Sequence, residues 1–159
     1  MGGLTGAAER AHHRNMSDLK SGSHDVDVAA FIARQDPFTV HNVLGIRITR
    51  FAKDEAVVEV DVSDRLFQHA GVVHGGIYVL LMESAASIAA AFAVDLTTHR
   101  VAGQEISASH LRSSSSGKLS ARARPLHQGK TSIVYACDVD NDGKLVSTGR
   151  CTIAVRSLV

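Results

Sequence analysis

The sequence predicts an α+β domain in which about six antiparallel strands pack around one long helix. Three observations lead there. Residues 75–94 are rich in Ala, Leu, Met and Ile and contain one charge, Glu83, which reads as a buried helix. Alternating apolar segments lie before and after it, joined by short polar turns. Strands and helices do not alternate as βαβ units, so the sheet is antiparallel. A chain of 159 residues is the size of one compact domain, and with 45% apolar but only 4% aromatic residues its core must use Ala, Val, Ile and Leu.

Residues 1–26 mix Gly, Ser, His and charge and offer little apolar surface to offset ordering entropy. They are expected to be a flexible tail, with residues 27–159 forming the domain. Only 7–14 has helical character within the tail, and Met16 is an alternative start. A myristoylation signal needs Ser or Thr at the sixth position, where Gly6 stands, and no secretory leader is recognisable. A short helix is expected over 26–33, stopping before Asp36-Pro37.

Strands follow over 45–51 and 56–62 with a turn at Lys53-Asp54-Glu55; in the second, Val58, Val60 and Val62 alternate with Glu59 and Asp61. A loop over 63–73 leads into the helix. Further strands are expected over 101–111, 118–126, 131–140 and 144–155. Their turns are Ser113-Ser114-Ser115-Ser116-Gly117, His127-Gln128-Gly129 and Asn141-Asp142-Gly143.

Twenty apolar residues also match a membrane span, but a carboxylate near the middle and a high Ala content make insertion unfavourable. The helix is therefore expected in a soluble core, with no membrane partner. Seventeen Lys plus Arg against 16 Asp plus Glu leave a net charge of +1, too little for general nucleic-acid binding. In a hairpin turning at 141–143, Cys137 is expected opposite about residue 147 and Cys151 opposite about residue 133. An offset of four residues is about 13 Å, beyond disulfide reach. Both are expected as free core thiols in a cytoplasmic, reducing setting.

Glu83 is the first candidate for chemistry, because an ionised carboxylate in an apolar helix is costly unless it is paired or functional. A structural ion pair is the competing reading. Ser87 lies one turn later on the same face. His74-Gly75-Gly76 opens the helix, where backbone N–H groups without intrahelical partners could stabilise an oxyanion, or where the glycines simply permit a tight turn. Gln68, His69 and His74 precede it and could orient a carbonyl or a water. The spacing of His69 and His74 matches no zinc motif, and the chain lacks a Gly-x-Ser-x-Gly elbow, a P-loop and a Gly-x-Gly-x-x-Gly fingerprint. No metal or cofactor is expected. Of the basic residues Arg112, Lys118, Arg122, Arg124 and Lys130, most belong to a solvated face, while Arg112 and Lys130 beside polar turns could receive phosphates.

Gln68, His74-Gly75-Gly76, Glu83-Ser84-Ala85-Ala86-Ser87, Glu105 to Arg112 and Pro125 to Gly129 together resemble the hotdog-fold acyl-CoA thioesterases. The 1,4-dihydroxy-2-naphthoyl-CoA hydrolases, the enterobactin-pathway proofreading thioesterase and one class of 4-hydroxybenzoyl-CoA thioesterases are most similar. The likeness runs from about Val40 to Val155. It implies a curved sheet wrapped around the long helix, a homo-oligomer that is a dimer of dimers, and an active site across a dimer interface.

By that resemblance Glu83 is the catalytic base or nucleophile, and Gly75 or Gly76 N–H polarises the thioester carbonyl. Gln68 and His74 hold the carbonyl and water, and Ser87 places a hydroxyl near the carboxylate. Gly103, His110-Leu111-Arg112-Ser113 and His127-Gln128-Gly129-Lys130-Thr131-Ser132 line the CoA path. No role is carried onto His99 or Arg100. Glu rather than Asp at the catalytic position favours the aromatic-acyl branch. An acyl-CoA sensor without hydrolysis and a hotdog dehydratase are the alternatives.

Overall fold

The computed structural model describes residues 38–158, so the expected tail and the helix over 26–33 lie outside the described residues. The chain enters through α1 (Val40–Leu44), capped by the Thr39 side chain and ended by Gly45 in the left-handed region at φ 73°. The strand expected from residue 45 therefore begins later, as β1 (Arg47–Phe51). β2 (Ala56–Asp61) returns antiparallel to it. A 3-10 turn over Asp64–Leu66, also unforeseen, precedes α2 (Gly75–Ala93). The remaining strands are β3 (His99–His110), β4 (Lys118–Gln128), β5 (Ser132–Asn141) and β6 (Lys144–Ser157).

All six strands form one sheet in the order β1-β2-β4-β5-β6-β3, every neighbour antiparallel. Two turn readings need correction. β4 runs through His127 and Gln128, which pair with Val134 and Ile133 after a shift between Pro125 and His127. A bulge at Leu126 thus prolongs the strand, and the turn is 129–131. In the last hairpin Asn141 pairs with Lys144 around a two-residue turn, Asp142 at φ 47° and Gly143 at φ 81°.

That tight turn and a further shift between Val139 and Asp140 each move the register by one. Cys137 consequently faces Gly149 and Cys151 faces Tyr135, an offset of two residues rather than the expected four. Both thiols are free and buried. Burial pushes each up to about 12, assisted at Cys137 by neighbouring Cys151 and at Cys151 by the Glu83 carboxylate.

The core lies between the sheet and one side of α2. Tyr78, Leu81, Met82, Ala85, Ala86, Ala89 and Ala90 are buried, a 3-4 repeat that covers one half of the helix. They meet Val58, Val60, Leu119, Ala121, Ile133, Tyr135, Val139 and Ile153 of the strands. Four Ala on this stripe let the sheet approach the helix closely, which is why so few aromatic residues suffice. α2 is long and apolar enough to cross a membrane, but its buried half is a core surface. The other half carries Leu80, Glu83, Ser84, Ser87 and Ile88, all half-buried.

Candidate functional site

The functional candidates sit on this half-buried face and at the ends of the sheet. His74 is the N-cap of α2, and its Nδ1 accepts from Gly76 N–H at 2.9 Å. Nδ1 is therefore the unprotonated ring nitrogen. The bond commits the Gly76 amide and leaves Gly75 N–H with no hydrogen-bond partner among the described residues. Of the two glycines, Gly75 offers the open donor at the positive end of the helix dipole.

His110 closes this end. Its Nδ1 lies 2.9 Å from Ser147 Oγ, and the buried Ser147 hydroxyl donates to Ser109 O at 3.2 Å. With the serine proton so used, the ring donates from Nδ1 and turns its Nε2 toward Gly75. A Cβ on Gly75 would come 2.7 Å from that nitrogen, so only glycine fits beside the ring. The Tyr78 ring packs on His110 with centroids 5.3 Å apart, and its hydroxyl is buried without a partner among the described residues. Gln68 accepts from Ala70 N–H through Oε1 at 2.8 Å, which fixes the amide orientation and leaves its NH2 as a donor. His69 is exposed.

Glu83 lies against β3. A Cβ on Gly103 would overlap its carboxylate, so the missing side chain at 103 makes room for the acid. Next to Gly103 the β3–β6 register shifts between Gly103 and Glu105, a bulge that bends the edge strand at this point. No carboxylate–cation contact forms at Glu83; the ion pairs among the described residues are elsewhere. The structural ion pair weighed for Glu83 is thus absent among the described residues. Ser87 follows one turn later on the same face.

The residues expected along the CoA path fall into two groups. His110, Leu111, Arg112 and Ser113 share the Gly75 end of the sheet with Gln68 and His74. His127, Gln128, Gly129, Lys130, Thr131 and Ser132 occupy the opposite end, at the level of Gly103, as the pairings Gly103 to Ile153 and Ile133 to Ile153 locate them. Arg112 donates to Leu145 O at 2.6 Å, close to the hairpin turn at 142–143. β5 separates that turn from Lys130 by its full ten residues, about 33 Å. The basic residues around the polar turns therefore do not form one cluster within a chain. Lys118, Arg122 and Arg124 pair with Glu59, Glu55 and Asp138 across neighbouring strands and belong to the solvated face.

Sequence reading missed Tyr78, Ser147 and His41. The first two enter only through packing on His110, and nothing in their local sequence marks them. His41 Nε2 lies 2.8 Å from Ser84 Oγ, and burial lowers its pKa. No group of acidic, His or Cys side chains able to hold a metal occurs among the described residues.

Residues 70–148 match the family model of the thioesterase superfamily. The 1,4-dihydroxy-2-naphthoyl-CoA hydrolase of Listeria monocytogenes is 39% identical over 118 residues, 74% of this chain and 95% of that one. The enzyme of the same name from Escherichia coli is 33% identical over 113 residues, 70% of this chain and 82% of that one. A Pseudomonas aeruginosa thioesterase, crystallised as a glutamine-to-alanine variant, superposes with a TM-score of 0.76 at 32% identity, covering 84% of this chain and 95% of that one.

Proposed function

The chain belongs to the thioesterase superfamily and is a thioester hydrolase with the hotdog fold, and from that premise we propose that it hydrolyses an aromatic acyl-CoA to the free acid and CoA. The observation that carries the reading is the Glu83 carboxylate, lodged on the open face of α2 against a glycine on the edge strand and with no ion pair among the described residues. Gly75 N–H and the Gln68 NH2 receive the thioester oxygen, and the helix dipole supports the charge that grows there. Glu83 either draws a proton from water or attacks the carbonyl carbon itself. In both routes the C–S bond breaks, CoA leaves as the thiol after gaining a proton, and water supplies the acid's new oxygen. His74 and Ser87 orient the attacking water. Two hydrolases of 1,4-dihydroxy-2-naphthoyl-CoA among the relatives support an aromatic acyl group.

The site is shared between two subunits. Gly75 and Glu83 are eight residues apart on one helix, about 12 Å along its axis, whereas both must lie about 3 Å from one carbonyl group. Within a chain, Gly75 is also tied to His110 and Glu83 to Gly103, seven residues away along β3. Among the described residues β3 is the last strand of the sheet, and its outer edge, twelve residues long, has no neighbour. A twofold axis normal to the sheet sets this edge antiparallel to its copy, bringing the Gly75 end of one subunit to the Glu83 end of the other. The same operation brings Arg112 of one subunit toward Lys130 of its mate, so the two bind one nucleotide. The test is Glu83→Gln, which keeps volume and removes charge. Turnover should fall at least about 100-fold with the fold intact. Near-normal turnover, or a fully active monomer by sedimentation, overturns the reading.

A further inference from the structure

α1 is attached to the open face of α2 beside the catalytic carboxylate. None of its five residues is buried, and Val40 and Val43 are about half exposed at 49% and 51%. His41 nevertheless reaches inward, with Nε2 2.8 Å from Ser84 Oγ. Its Nδ1 makes no hydrogen bond among the described residues, and burial lowers its pKa, which keeps the ring neutral. Ser84 follows Glu83 in sequence, so their side chains leave the helix about 100° apart.

Between these two margins the helix presents Ser87 at about 40° and Leu80 at about 60° from Glu83. On a helix with side chains some 10–12 Å across, that arc spans about 9 Å. The result is a shallow slot with Leu80 and Ser87 as floor. Glu83 and β3 close one side, and the other is the imidazole held by Ser84. A slot of that width admits one planar ring.

We propose that the His41–Ser84 pair is a specificity device that seats α1 as the wall of this slot, so that a planar aromatic acyl group is retained in preference to a flexible alkyl chain. The inference rests on the thioesterase reading and adds residues to it. His41 and Ser84 do not take part in the chemistry; they position the acyl group relative to Glu83.

The test compares benzoyl-CoA with hexanoyl-CoA for wild type, His41→Ala, His41→Gln, Ser84→Ala and the double Ala variant. It also measures binding of the uncleavable thioethers phenacyl-CoA and hexyl-CoA. Each single Ala variant should lower the benzoyl to hexanoyl ratio of kcat/KM at least fivefold, through KM for the aromatic substrate. The double variant should fall no further, because the pair acts as a unit. His41→Gln, which can place a polar atom near the Nε2 position, should recover more than half of the loss. A ratio that stays within twofold in Ser84→Ala, or an equal loss on both substrates, overturns the proposal and leaves the thioesterase reading standing. A wild type that neither cleaves the thioesters nor binds the thioethers removes both. If wild type binds without cleavage, the catalytic reading alone fails and the thioether ratio judges the pair by the same fivefold criterion.

Discussion

Gly103→Ala isolates the position of the Glu83 carboxylate from its presence. A Cβ at residue 103 overlaps the carboxylate oxygen and comes 2.9 Å from Cδ, whereas two carbons in contact rest about 3.5–4.0 Å apart. The backbone at 103 is not in the left-handed region, so alanine is compatible with the strand and the unfolded chain loses freedom. Relief must therefore come from the flexible end of Glu83, which retreats by about 1 Å. A displacement of that size at a catalytic group costs about 100-fold in rate, or about 2.7 kcal/mol of transition-state stabilisation. Thiol release from an aromatic acyl-CoA under saturating conditions measures it, with thermal melting as the control for folding. The melting temperature should hold or rise slightly while turnover falls. Adding Glu83→Asp, which withdraws the carboxylate by one methylene, should cost much less in the Gly103→Ala background than in wild type. A folded Gly103→Ala enzyme with turnover within threefold of wild type would refute the assignment of that carboxylate position to catalysis.

Three further outcomes follow from other parts of the molecule. Arg112→Ala and Lys130→Ala should each raise KM for acyl-CoA severalfold with little change in kcat, added salt should mimic them, and a short pantetheine thioester lacking the nucleotide should be insensitive. Equal losses on both substrates would assign these residues to the fold instead. Cys137 and Cys151, with thiols pushed up to about 12 by burial, should not react with a thiol reagent at pH 8 until the protein unfolds, when both should appear; fast labelling of the native protein contradicts their burial. His41 is held below its ordinary value of 6.5 by burial, so the unfolded chain binds more protons as pH falls through that value. Stability should therefore drop from about pH 6.5 downward until the folded-state pKa is passed, and denaturant titrations of His41→Gln should lack that part of the slope.

Local pattern was enough for the central helix, because its composition and its opening glycines mark it without reference to anything distant. The same is true of β4 and β5, whose alternation follows from one buried face, and of Glu83, whose charge is conspicuous in an apolar run. The short helix at 40–44 was also written locally, in Thr39 and Gly45, but five residues give no period to read.

Register and end-to-end placement were different. One bulge and one two-residue turn shifted the last hairpin by two positions, since a bulge depends on cross-strand packing rather than on the residues that form it. Arg112 and Lys130 are eighteen positions apart in sequence and sit at opposite ends of a strand, a separation visible only once β4 and β5 are laid side by side. The choice between Gly75 and Gly76 was equally non-local: it turned on the His74 ring taking one amide and His110 arriving from a distant strand to face the other. Sequence alone determined which residue types line the helix and the strands, because those are fixed by a period along the chain. Which of them meet, and at which end, was decided by tertiary packing, where side chains far apart in sequence compete for the same space.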